Sequence, residues 1–136
     1  IDRTLLVLLF ILSGCSAQID AEKLANSEAS YHDGIKLYES KNFSDAEKSL
    51  TVAIDGGGLN VDLRTEALLK RAICRAELNR YEAAHQDLDE VATAAPLDEW
   101  HVARAFVYRK QGEEGKSQAE MEQAIAINPE IELGVD

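Results

Sequence analysis

A chain of 136 residues with 46% apolar content is in the size range of one domain with a sizeable core. Lys and Arg total 14 against 25 Asp and Glu, and the net charge of -11 makes the surface repel phosphate backbones and anionic headgroups, which excludes nucleic acid as an expected partner. Two prolines, three phenylalanines and one tryptophan in a chain rich in Ala, Leu, Glu, Lys, Arg and Gln predict an all-α fold.

The first element is the uninterrupted apolar run Leu5 to Leu12. It is far short of the roughly 20 residues that a helix needs to cross a bilayer, and it fits the apolar core of about 7 to 15 residues in a secretory signal. Ser13 and Gly14 supply the small residues that follow such a core, and Cys15 comes directly after them. Leu12-Ser13-Gly14-Cys15 resembles the lipobox of bacterial lipoproteins. The resemblance implies that residues 1–14 are a signal peptide cut before Cys15, that the Cys15 thiol carries diacylglycerol, and that the new amino terminus is acylated. At about 0.8 kcal/mol per buried methylene, two or three acyl chains anchor stably where one is marginal. Ser16, not Asp, follows the cysteine, which by the sorting rule of enteric lipoproteins implies the outer membrane, facing the periplasm. The competing reading makes Leu5 to Leu12 a helix of the domain, but an all-apolar run has no polar face to show to water. The positive region is reduced to Arg3 beside Asp2, and further basic residues are expected ahead of Ile1.

Acylation of Cys15 leaves Cys74 as the other thiol, so no disulfide framework is required. A Cys15–Cys74 bridge is the alternative. Because Cys74 falls in the middle of a helical pattern, it reads as a small core residue.

After a linker over 15–26, self-comparison at a period of about 34 finds three units, over about 27–60, 61–97 and 98–130. The first holds Gly34 and then Phe43, Ala46, Leu50, Ala53 and Ile54. The second holds Ala72 and then Tyr81, Ala84, Leu88 and Val91, ending at Pro96. The third holds Ala105 and then Glu114, Ser117, Met121, Ala124 and Ile125, ending at Pro129. These landmarks resemble the tetratricopeptide repeat (TPR). The resemblance implies antiparallel helix pairs stacked as a short right-handed superhelix, an α-solenoid, whose first helices line the concave side. Small residues stand where the two helices of a pair approach closely, and the prolines cannot continue a helix.

Six helices are expected, at about 20–40, 43–54, 61–79, 81–94, 98–111 and 114–127. Gly56-Gly57-Gly58-Leu59 lengthens the first connection between units and predicts a mobile turn, after which Asn60 caps the next helix with Asp62 in its first turn. Glu114 and Ser117 replace an aromatic and an alanine, so the last helix is expected to pack loosely. The tail over 131–136 is too short for the capping helix common in such arrays. Either the chain is a fragment, or that face meets a partner or a second copy.

No catalytic or cofactor set emerges. His32, His85 and His101 have no metal-ligand spacing and read as exposed or helix-edge residues. Gly56 to Gly58 lacks the Lys-Ser/Thr of a phosphate loop, and the carboxylates Glu113, Glu114, Asp87, Asp89 and Glu90 read as solvated helix faces. The expectation is a protein that is not an enzyme and carries no metal.

Carried over from the repeat family, the concave groove positions are Glu28, Tyr31, Ile35 and Tyr38, then Glu66, Leu69, Ile73 and Ala76, then Val102, Phe106, Arg109 and Lys110. Such a groove binds an extended or helical segment of a partner protein through aromatic anchors, with Arg109 and Lys110 able to pair an acidic residue. Tyr31 and Ile35 stand where chaperone-binding members hold Lys and Asn. Three functional expectations follow: a lipid-anchored adaptor or scaffold in the bacterial envelope, serving pilus or secretion machinery or recruiting cell-wall enzymes; a self-associating structural module; and, less favoured, an enzyme subunit.

Overall fold

The computed structural model describes the backbone of residues 3–131 and the side chains of residues 20–131. The side chains of the apolar run, Cys15 and Ser16, and the tail over 132–136, lie outside the described residues. Six helices make up the fold: α1 (Arg3–Glu39), α2 (Phe43–Gly56), α3 (Val61–Glu77), α4 (Tyr81–Val91), α5 (Leu97–Lys110) and α6 (Glu114–Ile127). The described residues contain no strand, so the fold is all-α. Helix α1 continues N-terminally of the expected start near 20, and among the described residues no helix is long and apolar enough to cross a membrane.

Three connections, over 40–42, 78–80 and 111–113, share one geometry. In each, the middle residue turns into the left-handed region, at φ 61° for Lys41, 60° for Asn79 and 82° for Gly112. The amide of that residue donates three residues back, to the carbonyls of Tyr38 (2.9 Å), Ala76 (3.1 Å) and Arg109 (3.0 Å). The next amide donates five back, from Asn42 to Leu37 (2.9 Å), Arg80 to Arg75 (2.7 Å) and Glu113 to Tyr108 (2.9 Å). This paired pattern closes the orphan carbonyls at a helix end and turns the chain sharply. A new helix starts at once, its first bonds running from the amides of Ala46, Ala84 and Ser117. Those three side chains are all buried, because they are the first to return against the preceding helix.

Each such turn leaves its two helices packed along each other, and α3 sits at the centre, touching α1, α2, α4 and α5. Close approach within the first pair depends on Gly34. A Cβ there would stand 2.7 Å from Leu50 Cδ2 and 3.2 Å from the Leu50 backbone nitrogen. Leu50, Leu68, Cys74, Leu88 and Val107 form the fully buried centre of the core. Cys74 is thus a core residue, and burial pushes its thiol up to about 12, with the nearby Glu47 carboxylate adding to the rise.

The structure corrects three local expectations. The Gly56–Gly58 turn is clasped instead of loose: Gly57 is the left-handed C-cap of α2, and the Gly58 amide donates to Ser27 Oγ at 3.2 Å. A Cβ at Gly58 would meet the Lys23 carbonyl oxygen at 2.6 Å, so only glycine lets the turn lie against α1. Helix α4 ends at Val91 instead of near 94: Ala92 keeps helical backbone angles, but its amide and that of Ala94 donate three residues back, to Asp89 and Val91, and the chain continues as turns to Pro96. Asp87, read as solvated, is 2% exposed. It accepts two bonds from Arg71, at 2.9 and 2.7 Å, and lies 3.0 Å from Arg75. Arg71 also donates to Thr51 Oγ1 at 3.2 Å, while Glu47 pairs with Arg75 at 3.1 Å and Arg80 at 2.5 Å, so one ionic network joins α2, α3 and α4. Burial works against the Arg71 charge, and the Asp87 carboxylate, helped by Asp55 and Glu90, more than offsets it, raising the guanidinium above its ordinary value.

One expectation agrees with the structure and another agrees in part. Asn60 caps α3, its side chain accepting from the Leu63 amide at 2.9 Å. Helix α6 buries few residues of its own, Ser117 and Ala124, although it lies along the length of α5.

Candidate functional site

An open groove of about 600 Å³ runs along α3 and α5, with Tyr38 of α1 on one side and Ile131 of the tail on the other. Residues one helical turn apart share a face, so Thr65, Leu69 and Ile73 present one row to it from α3. Val102 and Ala103 of α5 complete an apolar floor. A second row on α3 consists of Asp62, Glu66 and Lys70, and Glu99 of α5 also lines the groove. Lys70 Nζ stands 5.0 Å from the centroid of the Tyr38 ring. Burial lifts the Tyr38 phenol above its ordinary range, with Cys74 and Glu77 adding to the rise.

Of the residues expected in the groove, Tyr38, Glu66, Leu69, Ile73 and Val102 line it together, with Leu69 and Ile73 buried in its floor as part of the core. Tyr31 is buried, and its hydroxyl donates to Glu66 Oε2 at 2.6 Å, fixing the groove carboxylate from behind. Ile35 packs against the core, and Phe106 is a core residue at 4% exposure. Lys110 and Arg109 stand over the Phe106 ring at 5.7 and 5.6 Å, and Lys110 is paired with Glu77 at 2.8 Å. The ammonium expected to receive an acidic partner residue is therefore already engaged within the chain. Asp62, Lys70, Glu99 and Ile131 were not expected here. The first two stand one turn either side of Glu66, a signal present in the helical period, whereas no local pattern points to Ile131.

The tail reaches the groove by a polar latch. Asn128 Nδ2 donates to Asp98 Oδ2 at 3.0 Å, and the Ile131 amide donates to the Asn128 carbonyl at 3.1 Å. The Asn128 bond holds the Asp98 carboxyl below its ordinary value, with the amides at the start of α5 helping.

The three histidines occupy three separate settings. His32 is exposed on α1 beside Tyr31, and His85 Nε2 lies 3.1 Å from Gln111 Oε1. His101 is less exposed than expected, because its Nδ1 lies 2.6 Å from Glu120 Oε2 between α5 and α6. Among the described residues no group of histidine, cysteine and carboxylate side chains could hold a metal ion.

Comparison with known proteins finds no matching family model, no matching curated protein and no matching solved structure.

Proposed function

We propose that this chain is a lipid-anchored adaptor of the tetratricopeptide type, which binds a segment of a partner protein at the bacterial cell envelope. The observation that carries the reading is the groove of about 600 Å³ along α3 and α5, whose floor is apolar and whose lining draws on three helices and the tail. Three turns of one geometry, each followed by a buried small residue, support the repeat assignment. Cys15 supplies the anchor, so a partner held in the groove meets the membrane at a raised local concentration. The chain has no catalytic role in this reading. It serves assembly of pilus or secretion machinery, or recruits cell-wall enzymes, on an outer-membrane surface facing the periplasm.

The test is crosslinking in envelopes with a photoreactive residue at Val102. A Tyr38→Ala variant that retains every crosslinked partner sinks the groove assignment. Mass spectrometry of the mature N-terminus checks the anchor: a diacylglyceryl adduct on Cys15 supports it, and an unmodified Cys15 still joined to Leu5 to Leu12 overturns it.

A second reading rests on α6, where Ile125 and Ile127 are each 46% exposed on a helix that packs against α5 alone among the described elements. In that reading α6 pairs with a second copy. A monomeric mass in sedimentation across micromolar concentrations removes it.

A further inference from the structure

We infer that the groove selects a cationic segment, one that seats an aliphatic or aromatic side chain on the Leu69, Ile73 and Val102 floor and carries Lys or Arg beside it. The inference rests on the groove reading above and adds the chemistry of the partner. Three carboxylates line the groove, Asp62, Glu66 and Glu99, against one cation, Lys70. Asp62 and Glu99 are exposed, and among the described residues neither has a hydrogen-bond or ion-pair partner. Glu66 has one oxygen held by the Tyr31 hydroxyl at 2.6 Å, which orients the carboxylate without neutralising it. The two carboxylates on α3 are one turn apart and Glu99 is in the first turn of α5, so a segment lying on the floor meets carboxylates from both helices.

The cations expected to favour an acidic partner are placed elsewhere. Lys110 pairs with Glu77, and Arg109 and Lys110 cover Phe106 away from the groove. Lys70 stands over the Tyr38 ring. An acidic segment would set its carboxylates against Asp62 and Glu99, a juxtaposition that opposes binding, and the chain's net charge of -11 extends the same preference to the approach of the partner. The tail that follows Ile131 carries Glu132 and Asp136, so its charge disfavours it as the occupant.

The experiment uses the full chain in an uncharged detergent and two synthetic ten-residue peptide pools. Both fix a central Leu, Ile, Phe or Tyr. One pool is degenerate in Lys, Arg and Ser at the flanks, the other in Glu, Asp and Ser, and bound peptides are read by mass spectrometry. The expected result is about tenfold enrichment of the basic pool, falling to about twofold or less in Asp62→Asn/Glu99→Gln and abolished in Val102→Trp. Equal capture of both pools, lost from both in Val102→Trp, overturns the charge preference and leaves the groove reading intact. Capture of neither pool overturns both. Basic capture that survives Val102→Trp, and falls as much in Glu113→Gln/Glu114→Gln as in the groove variant, assigns the binding to net charge and overturns the inference. The exchanged carboxylates are exposed and Val102 is half-exposed, and melting curves of each variant confirm that the fold is retained.

Discussion

The centre of the molecule and its last pair are built on the same turn but are held in different ways. Helix α3 is surrounded by α1, α2, α4 and α5, and its Arg71 and Arg75 join an ionic network that reaches Glu47 and Asp87 on either side. Helix α6 rests on α5 through Ser117, whose hydroxyl donates to the Ala105 carbonyl at 2.8 Å, and through Ala124. With equal local geometry, the two regions are expected to differ in stability. What differs is how many residues each helix removes from water, nine on α3 against two on α6, and how deeply its ion pairs are buried. Arg71 and Asp87 are 8% and 3% exposed at their side chains, whereas Glu120 of α6 is 16%.

The largest test of that contrast is Asp87→Ala. It leaves the Arg71 guanidinium, 8% exposed at its side chain, without its carboxylate, and urea unfolding is expected to show a loss of about 3–5 kcal/mol. A loss no larger than that of an exposed acid such as Glu114 breaks the comparison. Next is Gly34→Ala, which drives a methyl into Leu50 and is expected to cost about 1–3 kcal/mol in the same assay. Ser117→Ala removes one buried hydroxyl bond, at about 1 kcal/mol, and is expected to speed amide exchange in α6 while leaving α3 unchanged. Equal acceleration in both helices would mean that the last pair does not open by itself.

Lys41→Gly works in the opposite direction. Its left-handed backbone carries a steric cost for any residue with a Cβ, and glycine is expected to raise stability by about 1 kcal/mol, whereas Gly112→Ala at the equivalent position lowers it. The smallest effect belongs to Asp98. Its folded-state value lies below the ordinary 3.8, so the latch contributes stability that is present above that value and lost as pH falls through the lower folded one. The amide resonances of Asn128 and Ile131 are expected to hold steady between about pH 5 and 8 and to shift below about pH 4. A shift near neutrality would place another group at the latch.

The small residues at Gly34, Ala46 and Ala84, and the aromatic starts of α2 and α4, were legible because spacing along a helix is a local property. The ionic network was not. Asp87 lies in an acidic stretch indistinguishable from a solvated face, and its burial depends on Arg71, which the turn at 78–80 brings back from the preceding helix. The clasp of Gly58 on Ser27 likewise joins residues with no shared pattern. In the groove, Leu69, Ile73 and Val102 were expected only through the resemblance to the repeat family, and no pattern local to the chain singles them out. Phe106, expected on the same ground, does not join them, since one turn further along α5 its ring is covered by Arg109 and Lys110. The acidic character of the groove was obscured by counting those two cations without their intramolecular partners.

Three identical turns within pairs contrast with two dissimilar joints between them. One joint is the four-residue Gly57–Asn60 stretch pinned to α1, and the other is the Ala92–Pro96 segment, which runs directly into α5. The intra-pair turn is thus the invariant part of the design, and the joints are where one unit can be set at a new angle to the next. Altering Gly58 or Pro96 would re-aim neighbouring units while leaving each unit's own hairpin whole. The spacing of α3 and α5 across the groove is thus set by a joint and not by the turn within either helix pair.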